Sequence, residues 1–406
     1  MTDFKQQVET LSRGLVELIS TKELETKLKR GKPLRVKLGF DPTIADLHLG
    51  HTVVLQKLKQ FQDLGHQVIF LIGDYTAMVG DPAGQSKTRP MLTKEAVEEN
   101  AKTYLDQAFK ILDRKKTEIR HNSEWIGKMQ PIEIIQLAGH YNLGRMLERD
   151  DFKKRHQEGN QITIQEFMYP LFQGFDSVAL KADVELGGND QKFNLAVARD
   201  IQRAYGQEPE VILTLPLLVG TDGVKKMSKS YGNYIGISEP PKEIFGKILS
   251  LTDDLMWHYY EVLTDEHLDV VKKMHPKEAK VKLAKMMVAR FYSEKEALNE
   301  EAEFEKVFGQ KSKPSEIESV EIKIVSKEVS LTEVMVTAKL ASSKGEARRL
   351  IEQGGVKVDD QKVESVEMKL SAGKEYLLQV GKRKFLKVSL RAKRSNPVDH
   401  RDCHGP

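Results

Sequence analysis

Apolar and polar positions recur at two different periods in the first part of the chain. In Arg35–Phe40 (RVKLGF), Val36, Leu38 and Phe40 fall at period two, which predicts a strand with one apolar face, ended by Asp41-Pro42. The following HTVVLQKLKQFQDLG places Val54, Leu58 and Phe61 at helical spacing and ends on Gly65, a helix stop signal. Val68–Gly73 (VIFLIG) is continuously apolar, as expected of a strand covered on both faces. Strand, helix and strand in this order form the crossover unit of a parallel, doubly wound sheet. Residues 1–222 are therefore expected to form an α/β domain with a Rossmann-like parallel sheet.

The pattern changes after residue 222. Residues 223–325 are rich in helix formers and predict an α-helical domain, with Val281–Leu298 (VKLAKMMVARFYSEKEAL) its clearest amphipathic stretch. Hydrophilic Gly309–Ser319 reads as a linker. Residues 331–391 form a compact basic segment. Within it, Ser343-x-x-Glu346 has the spacing of a capping box, and the helix it opens is expected to reach about Gln353 and stop at Gly354-Gly355. Val-Lys-Val, a turn at Asp359-Asp360 and a second short strand predict a hairpin. The segment is thus a small α+β module. Residues 392–406 show no periodicity and are expected to be a disordered tail. No internal repeat is evident.

Composition and charge narrow the function. The 406 residues are 39% hydrophobic and 31% charged, as in a globular protein, and no apolar run approaches the roughly 20 residues of a membrane span. The start, MTDFKQQVET, lacks the basic-then-apolar pattern of a secretory signal. A single cysteine, Cys403, leaves no intramolecular disulfide and no cysteine-cluster metal site. A cytoplasmic location is expected. Residues 331–406 hold 16 Lys+Arg and 10 Asp+Glu, a net of 16 − 10 = +6, against −2 for the remainder of a chain of net +4. A nearly neutral body with a basic end suggests a catalytic unit with an appendage for a polyanion.

Two nucleotide-binding signatures are missing: no G-x-G-x-x-G follows a strand, and no G-x-x-x-x-G-K-[ST] occurs. Instead, the first strand leads into GFDPTIADLHLGHT, which puts His48 and His51 one turn apart at a helix start. Free amides and the helix dipole there favour an anion, and Gly50 leaves room for a nucleotide against the backbone. Zinc is a weaker reading, because no third ligand is at hand. Farther on, Val224–Asn233 (VKKMSKSYGN) carries Lys225, Lys226 and Lys229 between Gly223 and Gly232, a glycine-hinged basic loop suited to closing over phosphates.

Together the two segments resemble the signature motifs of the class I aminoacyl-tRNA synthetases, HIGH and KMSKS. His48-Leu49-Gly50-His51 matches the first with one substitution, and Lys226–Ser230 matches the second letter for letter. GFDPT (Gly39–Thr43), GDPAG (Gly80–Gly84), Tyr169–Asp176 and GGNDQ (Gly187–Gln191) resemble the site segments of the bacterial tyrosyl-tRNA synthetases, in that family's order, and the likeness extends to about Arg391. Tyr169, Gln173 and Asp176, spaced i, i+4 and i+7, would share one helix face.

The resemblance implies a catalytic domain over 1–222, a signature loop and α-helical anticodon-binding domain over 223–325, and an RNA-binding module over 331–391. It implies activation of tyrosine by ATP and transfer to the end of tRNA(Tyr), by a homodimer. His48, His51 and Thr43 would hold the ATP phosphates, while Lys226 and Lys229 would neutralise the departing pyrophosphate. Asp41, Gly50, Gly188, Asp190 and Gln191 would line the ATP site. Asp41, Asp81, Tyr169 and Gln173 would hold the tyrosine ammonium, and Asp176 would accept the phenol hydrogen bond. Mg²⁺ would arrive with ATP rather than in a protein-held site. Lys344, Arg348, Arg349 and Lys357 would face RNA. One departure is Lys37, which stands where many members carry a tyrosine that also contacts the phenol. Two alternatives stay open: a tryptophanyl-type synthetase, and a non-catalytic RNA-binding protein derived from a synthetase body.

Overall fold

The computed structural model describes residues 3–43, 46–82, 92–306, 317–381 and 384–392. The chain divides into two compact units, Met1–Leu298 and Asn299–Pro406.

The first unit is built on a six-stranded sheet of β1 (Glu17–Ile19), β2 (Arg35–Phe40), β3 (Gln67–Ile72), β4 (Thr117–His121), β5 (Val184–Gly188) and β6 (Val211–Leu215), in the order β1-β6-β5-β2-β3-β4. Strands β2 to β6 are parallel, and only β1 runs antiparallel, against β6. The chain leaves β2 toward β3 on one side and later returns to β5 on the other. The order therefore reverses at β2, and a crevice opens at the carboxyl ends of the strands there.

Central placement also changes β2 itself. The expected alternation gives way to consecutive burial of Val36, Lys37 and Leu38, because both faces of the sheet are covered. Helix Leu49–Asp63 follows β2, with His48 as its N-cap, and Gly65 takes φ +88° just past its end. Helices Ile164–Leu180 and Lys192–Ala204 pack closely against each other. A Cβ on Gly174 would lie 3.2 Å from the Ala198 Cα, so that crossing needs glycine.

Beyond β6 the first unit is helical, with no strand among the described residues up to 298. The stretch Val281–Leu298, expected as one amphipathic helix, is split between helices Pro276–Phe291 and Glu294–Phe304. Tyr292 leaves the helical region (φ −129°, ψ −92°), and the Ser293 hydroxyl accepts from the Glu296 amide at 3.2 Å. A serine three residues before a glutamate starts a new helix more favourably than it continues an old one.

The second unit holds a five-stranded sheet of β7 (Ser319–Ile324), β9 (Val356–Val358), β10 (Gln361–Lys362), β12 (Glu375–Val380) and β13 (Lys384–Ala392), in the order β10-β9-β12-β13-β7. A two-stranded ribbon of β8 (Glu328–Ser330) and β11 (Lys369–Ser371) accompanies it. Its core gathers Leu331, Val334, Met335, Ala347, Ile351, Val356, Leu378, Val388 and Leu390. Strand β7 lies in the stretch expected as helical domain and linker. It pairs in parallel with β13 and buries Ile322 and Ile324 in this core, so the module's sheet begins at Ser319 rather than near 331.

Helix Lys344–Glu352 opens on Ser343, whose hydroxyl accepts from the Glu346 amide at 3.2 Å, and Gly354 beyond it takes φ +69°. Glu346 reaches back to the Ser342 amide at 2.6 Å, one residue earlier than a capping box requires. Asp359 and Asp360 both take positive φ, as a two-residue hairpin turn demands, and β9 and β10 pair across them. Ala392 is the last described residue of β13, and the expected tail beyond it lies outside the described residues.

Candidate active site

A cavity of about 850 Å³ occupies the crevice where the strand order reverses, within the first unit. Its wall includes Asp41, Thr43, His48, Gly50, His51, Asp81, Tyr169, Gln173, Asp176, Gly188, Asp190, Gln191, Lys226 and Lys229. These are all the residues expected to handle ATP or the amino acid, gathered from five separate stretches of chain. Of the Gly80–Gly84 segment, Ala83 and Gly84 lie outside the described residues. Lys344, Arg348, Arg349 and Lys357 lie in the second unit, exposed on helix Lys344–Glu352 and strand β9.

At the phosphate end, the two histidines are fixed by the backbone. The Gly50 amide donates to His48 Nδ1 at 3.1 Å, and the His48 amide donates to His51 Nδ1 at 3.2 Å. Each ring therefore accepts through Nδ1 and carries its proton on Nε2. Burial drives His48 down to about 2, helped by His51 and Lys229, and drives His51 down to about 4, helped by Lys229. Both rings are neutral near pH 7 and offer N–H donors, not charge.

The expected free amides at this helix start are not free. Leu49 N donates to Ile235 O at 2.9 Å, His51 N to His48 O at 2.9 Å, and Gly50 N to the His48 ring. The anion-binding expectation therefore passes from backbone to side chains. Gly50 has a further reason beside the expected one: a Cβ there would lie 2.9 Å from His48 Nδ1, so the position makes room for the imidazole.

The basic loop lies across the mouth. Lys229 Nζ sits 2.5 Å from Asp46 Oδ2, and Lys226 Nζ sits 3.5 Å from Asp190 Oδ2. Asn233 organises the loop, accepting from the Ser228 amide at 2.8 Å and donating to Asp222 at 2.9 Å.

At the other end, Asp41 accepts from Tyr169 Oη and from Thr76 Oγ1, each at 2.8 Å. Asp81 accepts from Gln191 Nε2 at 2.8 Å. Gln173 Oε1 is buried with no hydrogen-bond partner among the described residues. Asp176, 2% exposed, accepts from Trp125 Nε1 at 2.8 Å and Asn122 Nδ2 at 3.3 Å. Burial raises its carboxyl to about 7, against the opposing pull of Lys37 and these two donors. The pocket can thus hold an ammonium among Asp41, Asp81 and Gln173 and a hydroxyl at Asp176, with nucleotide phosphates at the histidines and lysines.

Several participants escaped sequence reasoning. Thr76, Asn122, Trp125 and Asn194 act only through folded contacts. Asp46 lies near its lysine only after the loop has folded over. The pairing of Lys37 with Glu185 did leave a signal, since each is a charge inside an apolar stretch of its strand (VKLGF and VELGG).

Residues 29 to 309 match the family model of the tRNA synthetases class I (W and Y), and residues 331 to 375 match that of the S4 domain. The tyrosine–tRNA ligase of Desulfotalea psychrophila is 52% identical over 401 residues, covering 96% of this chain and 99% of its own. That of Aquifex aeolicus is 52% identical over 388 residues, covering 95% and 98%. Among solved structures, the tyrosyl-tRNA synthetase of Archaeoglobus fulgidus complexed with L-tyrosine superposes with a TM-score of 0.61 at 22% identity, covering 73% of this chain and 99% of that one. A C-terminally truncated mitochondrial tyrosyl-tRNA synthetase of Aspergillus nidulans superposes with a TM-score of 0.63 at 21% identity, covering 76% and 95%. At such identities these two likenesses speak for the fold alone.

Proposed function

The chain belongs to the class I tRNA synthetases (W and Y), and from that premise we infer that its cavity joins tyrosine to tRNA(Tyr) through a tyrosyl-adenylate. It is a tyrosine–tRNA ligase with ATP as co-substrate. The observation that carries the amino-acid assignment is Asp176, a buried carboxylate on the cavity wall able to accept a hydrogen bond from a phenol. Phenylalanine in the same pocket would leave that acceptor without its donor, at a cost of about 1–3 kcal/mol or more for a charged group.

The substrate carboxylate is already ionised at neutral pH, so its attack on the ATP α-phosphate needs no protein base. Catalysis then lies in positioning and in stabilising charge that develops on the phosphates. His48 and His51 would donate Nε2–H to the phosphates, with Thr43 joining on the γ side. Lys226 and Lys229 would leave Asp190 and Asp46 to neutralise the departing pyrophosphate. Asp190 and Gln191 would meet the ribose, and Gly50 and Gly188 would let the nucleotide lie close to the backbone. Asp41, Asp81, Tyr169 and Gln173 would hold the ammonium. Mg²⁺ would enter on ATP as part of that substrate.

The S4 match supports RNA binding by the second unit, through Lys344, Arg348, Arg349 and Lys357. Residues 223–306 would serve the anticodon end of the tRNA. Exposed Ile132 and Ile135, one turn apart on helix Pro131–Gly139, together with Leu143, favour a homodimer in which a second copy covers them. A monomer in sedimentation at micromolar concentration would refute that assembly. No helix among the described residues is long and apolar enough to cross a membrane, and the enzyme would work in the cytoplasm beside its tRNA.

The deciding experiment is ATP–pyrophosphate exchange against each standard amino acid. Tyrosine is expected to support it alone. Equal exchange with tryptophan, or none with any amino acid, would sink the reading.

A further inference from the structure

Beside the amino-acid end of the cavity lies a buried polar cluster to which the reaction above gives no role. Lys37 of β2 and Glu185 of β5 are register partners, exposed by 0% and 1%, with Lys37 Nζ 2.9 Å from Glu185 Oε1. Lys37 also donates to Ser177 Oγ at 2.7 Å and to the Gln173 carbonyl at 3.2 Å. Glu185 accepts from Gln173 Nε2 at 3.1 Å. Glu210, also fully buried, lies 3.1 Å from Ser177 Oγ. Burial and the Glu185 charge hold Glu210 far above the usual carboxylate range, so it is protonated and neutral. Lys37 thus meets Glu185 directly, with Glu210 held off by Ser177.

Stability alone does not account for such a pair. A well-packed apolar pair at the same place would serve β2 and β5 as well or better, because desolvating two charges offsets their attraction. What the pair touches supplies another reason. Both Lys37 and Glu185 line the cavity, and both bond to Gln173. With its amide nitrogen tied to Glu185, Gln173 keeps Oε1 without a partner among the described residues, an acceptor ready for an ammonium.

Asp176 adjoins Ser177 on the same helix. The charged and titratable groups that act on it are Lys37 of β2, Glu185 of β5 and Tyr169 on its own helix, with Trp125 and Asn122 as neutral donors after β4. Burial favours the protonated carboxyl, which cannot serve as the acceptor-only partner of a phenol. Lys37 is the cation that opposes burial there.

We propose that Lys37 and Glu185 are positioning residues for the amino-acid substrate, which fix through Gln173 and Asp176 the acceptors that recognise the ammonium and the phenol of tyrosine. The proposal rests on the tyrosine reading given above. It gives Lys37 an electrostatic part in specificity, exerted through Asp176.

The test compares the full-length enzyme with Lys37→Met and with the double variant Lys37→Met/Glu185→Gln. The double variant removes both charges of the Lys37–Glu185 pair together, so it tests the idea even if the single variant fails to fold. In exchange assays, kcat/KM for tyrosine reports the ionisation of the free enzyme. Lys37→Met is expected to move its acid limb upward by about one pH unit, and the double variant to move it upward by less, because Glu185 pushes the Asp176 carboxyl the opposite way. The preference for tyrosine over phenylalanine is expected to fall about tenfold at pH 7 and to recover by about pH 9. The loss should fall on KM for tyrosine, with kcat at saturation little changed. An unmoved acid limb in Lys37→Met, or in the double variant where the single one does not fold, overturns the proposal. So does a preference lost equally at both pH values, which would mark the pair as mere packing. Wild-type enzyme inert toward tyrosine would instead overturn the tyrosine reading and this proposal with it.

Discussion

His48 and His51 carry the phosphate motif, yet their environment removes the charge usually credited to such residues. Held near 2 and 4, they stay neutral through the physiological range, and their unfolded counterparts titrate near 6.5. Between pH 6.5 and about 4 the unfolded chain therefore binds more protons than the native one. Their contribution to stability is full above 6.5 and is lost as pH falls through that window, by up to about 2 kcal/mol per histidine at pH 5. His51→Gln is expected to lose less stability than wild type between pH 7.5 and 5, measured by urea midpoints; an identical loss would show that the ring is not held neutral. Asp176 makes the opposite case, with a raised carboxyl that must ionise to accept a phenol. Asp176→Asn is expected to narrow the ratio of specificity constants for tyrosine over phenylalanine roughly tenfold, as a neutral acceptor replaces a charged one. An unchanged ratio would remove Asp176 from phenol recognition. Residues of this kind were legible because they sit in contiguous motifs. Lys37 was visible only as a departure, since its partner Glu185 comes from a distant strand that nothing local to Lys37 announces.

Elements place these residues, and here the sequence was partly misleading. Strand β2 looked one-sided, yet it is central and buried on both faces, which is why a lysine inside it had to find a carboxylate. Alternation in six residues cannot reveal which strands will flank them. The helix after β2 was legible from spacing and Gly65, but not the closure of its first turn onto its own histidine rings. That closure makes Gly50 a sharp test. A methyl group there would sit 2.9 Å from the His48 ring and displace it. Gly50→Ala is expected to raise KM for ATP at least tenfold, about 1.4 kcal/mol, while tyrosine binding measured without ATP stays near wild type. If tyrosine binding falls as much as ATP use, the glycine is supporting the sheet and not the phosphate end.

At the scale of the whole molecule, the cavity and the S4 match fall in different compact units, so the proposed chemistry and the RNA binding proposed for the second unit are separable by cutting the chain. Where to cut is set by β7. The basic segment suggested a start near 331, but Ser319–Ile324 pairs with β13 along its whole length and buries two isoleucines in the module's core. A cut before 331 would strip an edge strand from the second unit and leave it on the first as an unpaired apolar segment prone to association. A chain ending at 306 avoids this and retains every residue of the cavity wall. It is expected to keep tyrosine-dependent ATP–pyrophosphate exchange within about twofold of the intact enzyme, because no group that touches ATP or tyrosine has been removed. Charging of tRNA should fall at least tenfold. Binding of tRNA by the intact chain should weaken linearly on a log–log scale of salt, with a steeper slope than that of the shortened chain, because the contacts proposed for Lys344, Arg348, Arg349 and Lys357 would displace counterions from the RNA backbone. Equal charging by the two chains, or equal salt slopes, would show that the second unit is not the tRNA-binding appendage.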